Sequence, residues 1–206
     1  GIALLNQIIQ ESPKNVLLAA CNTCNGPSIG GFPLNDVLPN YSGQIGKGLW
    51  QDKTGIKQLV SGYAVYLPVH GITWTNAFGS LLIGEPIPLN EAIVALTAAA
   101  LSGGVVTCGD DLTTLKPARA ELLAKLFPLS QQAATPVDLY EKKSPPIWNL
   151  RVQAPYESWQ VVGVFNWEDG VNDIYFTLDS LGLDRSKYYL VHDFWNREYI
   201  GAFRGS

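Results

Sequence analysis

The stretch "GGVVTCGDDLTTLKPARAELLAKLFPLSQQAATPVDLY", residues 103–140, holds the seam on which the reading of the fold turns. Val105-Val106-Thr107-Cys108 is an apolar run of strand length that ends in Asp110 and Asp111. A helical pattern follows over 117–127, with Leu122, Leu123, Leu126 and Phe127 apolar. Such a strand, apolar without alternation and followed by a helix, belongs to a parallel sheet covered by helices. Beyond Pro136 the period changes to two, so the seam separates an α/β region from an all-β one.

Upstream, the same helix-then-strand unit occurs twice more. Leu4, Leu5, Ile8 and Ile9 share one helical face, and Val16 to Ala20 predicts a buried strand bounded by Pro13 and a loop over 22–31. Residues 56–69 predict a helix disturbed at Pro68, followed by a strand over Gly71 to Thr75. Asn90 is placed to cap the helix Ala92 to Leu101 that leads into Val105. Three parallel strands leave long unpaired edges, which predicts a part of a larger sheet, either a closed β/α barrel or an open three-layer domain. Downstream, Trp159 to Trp167, Ile174 to Leu178 and Tyr188 to Asp193 predict antiparallel strands, with turns at Glu168-Asp169-Gly170 and Gly182-Leu183-Asp184. That module is short of strands for a closed sandwich. Its tryptophans, Trp159, Trp167 and Trp195, are expected in its core.

The 206 residues are 47% hydrophobic and 16% charged, enough for a sizeable core. A net charge of −4 without a run of Lys or Arg leaves no electrostatic footprint for nucleic acid or an anionic membrane surface. No segment has the roughly 18 to 20 uninterrupted apolar residues of a membrane span. The chain opens with Gly and has no Met, so it is expected to be a processed or excised piece. Its three cysteines, Cys21, Cys24 and Cys108, make a disulfide framework improbable. Reduced thiols are the default and favour a cytoplasmic setting. Cys21 and Cys24 have CxxC spacing, but a zinc site wants two further ligands, and His70 and His192 have no ligand spacing. Gly26-Pro27 also breaks the helix that a thioredoxin-like motif needs. No metal and no cofactor are expected.

Four blocks in order carry a resemblance that covers nearly the whole chain: "LTAAALSGGVVTCGDDLTTLKPARAELLAKLFPL", "ATPVDLY", "WQVVGVFNWED" and "LGLDRSKYYLVHDFW". They resemble the last barrel strand and helix and the C-terminal β domain of α-galactosidase-like glycoside hydrolases of the melibiase and raffinose-synthase type. "VLLAACNTCNGPSIGG" is similar to that family's sixth barrel strand and its loop, and "ITWTNAFGSLLIGE" to the seventh. The resemblance implies the C-terminal portion of a (β/α)8 TIM barrel over 1–134, about strands six to eight and the last helix. An incomplete antiparallel β-sandwich-like module over 135–206 would follow.

The resemblance also implies a site. Asn22, Thr23, Trp50, Trp74, Asn76, Asp110 and Asp111 would line a sugar pocket at the C-terminal strand ends. A helix cap or a bond to loop N–H groups is the plainer role for either aspartate of the pair. Retaining hydrolysis needs two carboxyl groups about 5 to 5.5 Å apart. The nucleophile is implied on a fourth strand outside this sequence, and the acid/base within "LNDVLPNYSGQIGKGLW". There Ser42 and Gly43 offer no proton, and no carboxylate occurs between Asp36 and Asp52, which remain as weak candidate acids. Trp74-Thr75-Asn76 is followed by Ala77-Phe78 in place of the family's Asp-Pro. The expected partners are an α-linked galactoside or another carbohydrate, and either a missing barrel half or a second copy of the chain. By itself the chain is expected to be inactive, and a catalytically degenerate sugar-binding or self-assembling scaffold is the alternative.

Overall fold

A computed structural model of the chain describes residues 2–16, 19–21, 34–36, 50, 52 and 55–205. Contacts divide it into two compact units, Gly1–Trp167 and Glu168–Ser206.

The first unit opens with α1 (Ile2–Gln10), on which Leu4, Leu5 and Ile8 are exposed. Its sheet has four strands, β1 (Ala19–Cys21), β2 (Leu34–Asp36), β3 (Thr75–Leu81) and β4 (Val105–Cys108). All three pairings are parallel, and the strands lie side by side in chain order. One row of the register joins Cys21, Asp36, Ala77 and Val105. Periodicity missed β2, because three residues are too few to declare a period.

The helices follow the apolar pattern. On α2 (Ile56–Tyr63) the residues Ile56, Leu59, Val60 and Tyr63 are buried. Pro68 has no N–H for an α ladder, and the chain tightens into a 3-10 helix over Ala64–Val69. The strand expected at Gly71 to Thr75 is instead a turn. The Val69 carbonyl accepts the N–H groups of Ile72 and Thr73 and the Thr73 hydroxyl, while Gly71 turns the chain at φ +71°. Local bonding at the helix end therefore wins over the β-branched run, and β3 starts only at Thr75.

The thirteen-residue α3 (Leu89–Leu101) begins after Pro88 rather than at an Asn90 cap. Its alanines Ala92, Ala95, Ala98 and Ala99 are buried, and it packs against α2, β3, the short α4 (Pro117–Ala124) and β7 (Ser158–Val164). Such small side chains let neighbours approach closely from several sides. At Gly104 the approach is closest: a Cβ there would stand 1.7 Å from the Asn76 carbonyl oxygen.

A second, antiparallel sheet of the same unit runs β5 (Thr135–Pro136), β6 (Ile147–Gln153), β7. Trp148, Phe165 and Trp167 form its aromatic core, and the Pro145 carbonyl accepts both indole N–H groups. Trp159, expected in a core, is exposed on β7. The division of contacts falls after Trp167, not at the 134/135 change of period. The reason lies at Gly163, where a Cβ would meet Leu101 Cδ1 at 2.5 Å, so β7 sits tightly on α3.

The second unit is a hairpin of β8 (Tyr188–Asp193) and β9 (Glu198–Arg204) preceded by a 3-10 turn, Asp179–Leu181. Asp193 closes the hairpin turn by accepting the Asn196 backbone and side-chain N–H groups at 2.9 and 2.8 Å. The strand expected over Ile174 to Leu178 is absent. Thr177 and Ser180 instead exchange local hydrogen bonds that start the 3-10 turn, and Gly182 ends it in the left-handed conformation. Leu181 alone is buried among the described residues of this unit.

Candidate functional site at the strand ends

Beyond the C-terminal ends of β3 and β4 lies a depression of about 180 Å³ lined by Gly84, Glu85, Asp110, Asp111, Lys116 and Arg119, among others. The strands continue toward it through the Gly109 N–H, which donates to the Leu81 carbonyl at 2.6 Å. Asp110, half-buried, accepts the backbone N–H of Ile83 at 2.7 Å and that of Gly84 at 3.2 Å. A charged acceptor on two amides binds more firmly than a neutral one, so this carboxylate ties the β4 end to the β3 end. Glycine leaves room for it, because a Cβ on Gly84 would stand 2.7 Å from Asp110 Oδ1 and push that carboxylate aside.

Asp111 makes a different set of contacts. Its Oδ1 accepts the Thr113 hydroxyl at 2.6 Å and the Thr113 N–H at 2.9 Å. These bonds hold its carboxyl below the usual carboxylate range, the hydroxyl contributing most. Its backbone carbonyl accepts the N–H groups of Thr114 and Leu115, which completes a local turn. Glu85 pairs with Lys116 at 2.6 Å, and that hydrogen-bonded cation lowers its carboxyl too. Arg119 donates to the carbonyls of Ile83 and Ile87 at 3.0 and 2.9 Å. Burial pushes the Cys108 thiol up, which leaves it protonated and a poor nucleophile at neutral pH.

Of the expected sugar-pocket residues that the structure describes, Trp74 and Asn76 are not brought together with Asp110 and Asp111. Trp74 and Asn76 flank the start of β3, whereas Asp110 and Asp111 follow the end of β4. Seven residues of β3 at about 3.3 Å each set those two ends roughly 20 Å apart. Trp74 is buried and donates its indole N–H to Asn76 Oδ1 at 2.9 Å. Asn76, fully buried, donates its side-chain N–H to the Tyr66 carbonyl at 3.0 Å and its backbone N–H to His70 Nδ1 at 3.1 Å. Trp50 stacks on Trp167 with ring centres 6.4 Å apart, next to the β5–β7 aromatic core. Asp36 is the last residue of β2, its backbone in register with Cys21 and Ala77. The Asp52 carbonyl accepts the Gly55 N–H at the entry to α2. Asn22 and Thr23 lie outside the described residues.

Six residues at the depression escaped the sequence reading: Gly84, Glu85, Thr114, Leu115, Lys116 and Arg119. Lys116-Pro117 carried a signal, since Pro at the first helical position fixes where α4 starts. The role of Gly84 had none, because only the fold brings it beneath Asp110. Among the described residues no group of three His, Cys, Asp or Glu side chains could hold a metal ion. No helix among them is long and apolar enough to cross a membrane.

No protein-family profile matches the chain, and no curated protein matches it. The geometry itself therefore carries the argument about chemistry. The acids at the depression are engaged with amides, a hydroxyl or a lysine of the same strand ends. Such an arrangement rigidifies a rim more readily than it offers a proton to a substrate.

Proposed function

We propose that the chain is part of a carbohydrate-active protein of the α-galactosidase-like type, in which the described residues serve as scaffold rather than as the source of catalytic carboxylates. What supports this reading is a parallel sheet in chain order followed by antiparallel strands, although the sheet has four strands where the resemblance implies about three. The single observation that carries the scaffold role is the engagement of Asp110 with two backbone amides. A carboxylate committed in this way stabilises the rim and is poorly placed to act as nucleophile or acid. Hydrolysis of α-galactosides then needs carboxyl groups from a further part of the barrel. The test is incubation of the 206-residue chain with an aryl α-galactoside. Release of the aryl alcohol above a heat-inactivated control would overturn the scaffold role, and no release is expected.

The second reading is a self-assembling scaffold that has lost the reaction altogether. Two features favour it: Leu4, Leu5 and Ile8 exposed along α1, and Val105 exposed on β4, an outer strand of the described sheet. Light scattering separates the readings. A mass at the 22.4 kDa of one chain rules out self-assembly. A multiple of it without galactose binding in calorimetry favours assembly over a carbohydrate role.

A further inference from the structure

In the second unit, β8 pairs with β9 alone among the described residues. A lone two-stranded hairpin is marginal in water, and here Leu181 is its one buried side chain among those residues. The two edges of the hairpin are unlike. Pairing runs evenly from Tyr188 with Arg204 to Val191 with Gly201, then jumps to His192 with Tyr199, so Ile200 is an extra residue on β9. Such a bulge interrupts the alternation of an edge and blunts it against further pairing. β8 carries no extra residue, and alternate residues turn their N–H and C=O groups outward along its length.

The two faces differ as well. Tyr189 is half-buried, and its hydroxyl accepts the Asp184 N–H at 2.9 Å, so its face is the one held by the unit's own turn. On the opposite face Tyr188, Leu190 and His192 are exposed, Leu190 by 77%.

The run Lys187-Tyr-Tyr-Leu-Val-His-Asp193 complements itself when read backwards. A two-fold axis on Leu190 sets Leu190 opposite Leu190, Tyr189 opposite Val191, Tyr188 opposite His192 and, at each end, Lys187 opposite Asp193. An axis through a residue sets outward backbone groups against outward ones and keeps the exposed side chains on one face. Apolar, aromatic and opposite-charge neighbours across strands are the pairs that stabilise a sheet. Asp193 already accepts two N–H groups of Asn196, and a carboxylate has lone pairs for a further donor. An axis on Val191 would set Asp193 opposite Tyr189. An axis on Tyr189 would set Lys187 opposite Val191 and bring Arg185 to Asp193, but Arg185 is paired with Asp179.

We propose that β8 is a self-association edge: two copies of the chain pair their β8 strands antiparallel about Leu190, giving a four-stranded sheet in the order β9, β8, β8, β9. The contact is isologous, so it closes at two copies. It uses a different surface from the α1 and β4 residues of the second reading above, and it holds whether or not the chain acts on carbohydrate.

The test is light scattering of the 206-residue chain over a concentration series, where the mass is expected to approach twice the 22.4 kDa of one chain. Leu190→Lys sets two cations face to face on the axis and should raise the dissociation constant about tenfold or more. Lys187→Glu turns both ion pairs into repulsions and should raise it about threefold or more. Leu5→Lys, on α1, should leave it unchanged. A mass of one chain at every concentration, or a dimer that neither β8 change weakens, would overturn the proposal. Loss of the dimer in Leu5→Lys with both β8 variants still paired would overturn it in favour of assembly through α1. Should Leu190→Lys fail to fold, Lys187→Glu, an exposed change, decides.

Discussion

The two ends of β3 are held by opposite kinds of chemistry. At the start, Asn76 is fully buried in a network of neutral groups supplied by Trp74, Tyr66 and His70. At the far end, a half-buried carboxylate, Asp110, gathers the amides of Ile83 and Gly84 beside a solvated ion pair, Glu85–Lys116. The buried end has no water to replace a lost partner, whereas the open end has. Loss of a group should therefore cost most at the start of the strand and least at the rim, although the rim carries the charges.

The steric limit of that comparison lies at Gly104. A methyl group there would stand 1.7 Å from a backbone oxygen that cannot rotate away, and Gly104→Ala is expected to cost roughly 3 to 5 kcal/mol in urea unfolding. Asn76→Ala comes next, at about 2 to 4 kcal/mol, because it strands the Trp74 indole N–H and the Tyr66 carbonyl. A cost near that of an ordinary surface change, about 0.5 kcal/mol, would break the contrast between the ends. For Asp110→Ala the expectation is about 1.5 to 3 kcal/mol, since two amides lose a charged acceptor but gain access to water. Gly84→Ala sharpens the picture. Its Cβ would press on the end of a movable side chain, Asp110, so the double variant Gly84→Ala/Asp110→Ala should lose less than the sum of the two single changes.

Asp111 gives the smallest effect and a pH signature. Its carboxyl is lowered in the fold by the Thr113 hydrogen bonds, so its contribution is present above the ordinary carboxylate range near pH 4 and is lost as pH falls through the depressed folded value. Thermal unfolding of Asp111→Ala should sit slightly below that of the unaltered chain at neutral pH and converge with it in acid. A constant gap down to about pH 2 would show that the carboxylate is not what matters there.

Much of this architecture was legible in the residues. The alanine-rich helix and the alternation over Tyr188 to Asp193 were legible by their period, and the apolar run before Asp110 by its strand length and β-branched residues. Pro68 signalled that the helix could not continue in α form, and it lies inside the 3-10 segment that follows α2. Less could be read of the site. Gly71 to Thr75 has the composition of a strand, yet the Val69 carbonyl captures its amides, and that displacement moves Trp74 and Asn76 from the expected rim to the opposite end. Neither aspartate caps the following helix, whose N-cap is Lys116; the other expected role, a bond to loop N–H groups, is the one seen, locally from Asp111 to Thr113 and across a helix and a strand from Asp110 to Gly84, which leaves no local trace. β2 and β5 are too short to betray a period at all.

The central claim is that the polar residues at the two ends of β3 belong to the fold and do not share one pocket. Its most direct test is a ¹⁵N-resolved titration of the 206-residue chain with galactose, following the Trp74 indole N–H and the Gly84 amide together. The account predicts that the indole signal, donated internally to Asn76, stays in place whatever happens at Gly84. Concerted movement of both signals along one saturating curve would place them in a single sugar site and contradict it.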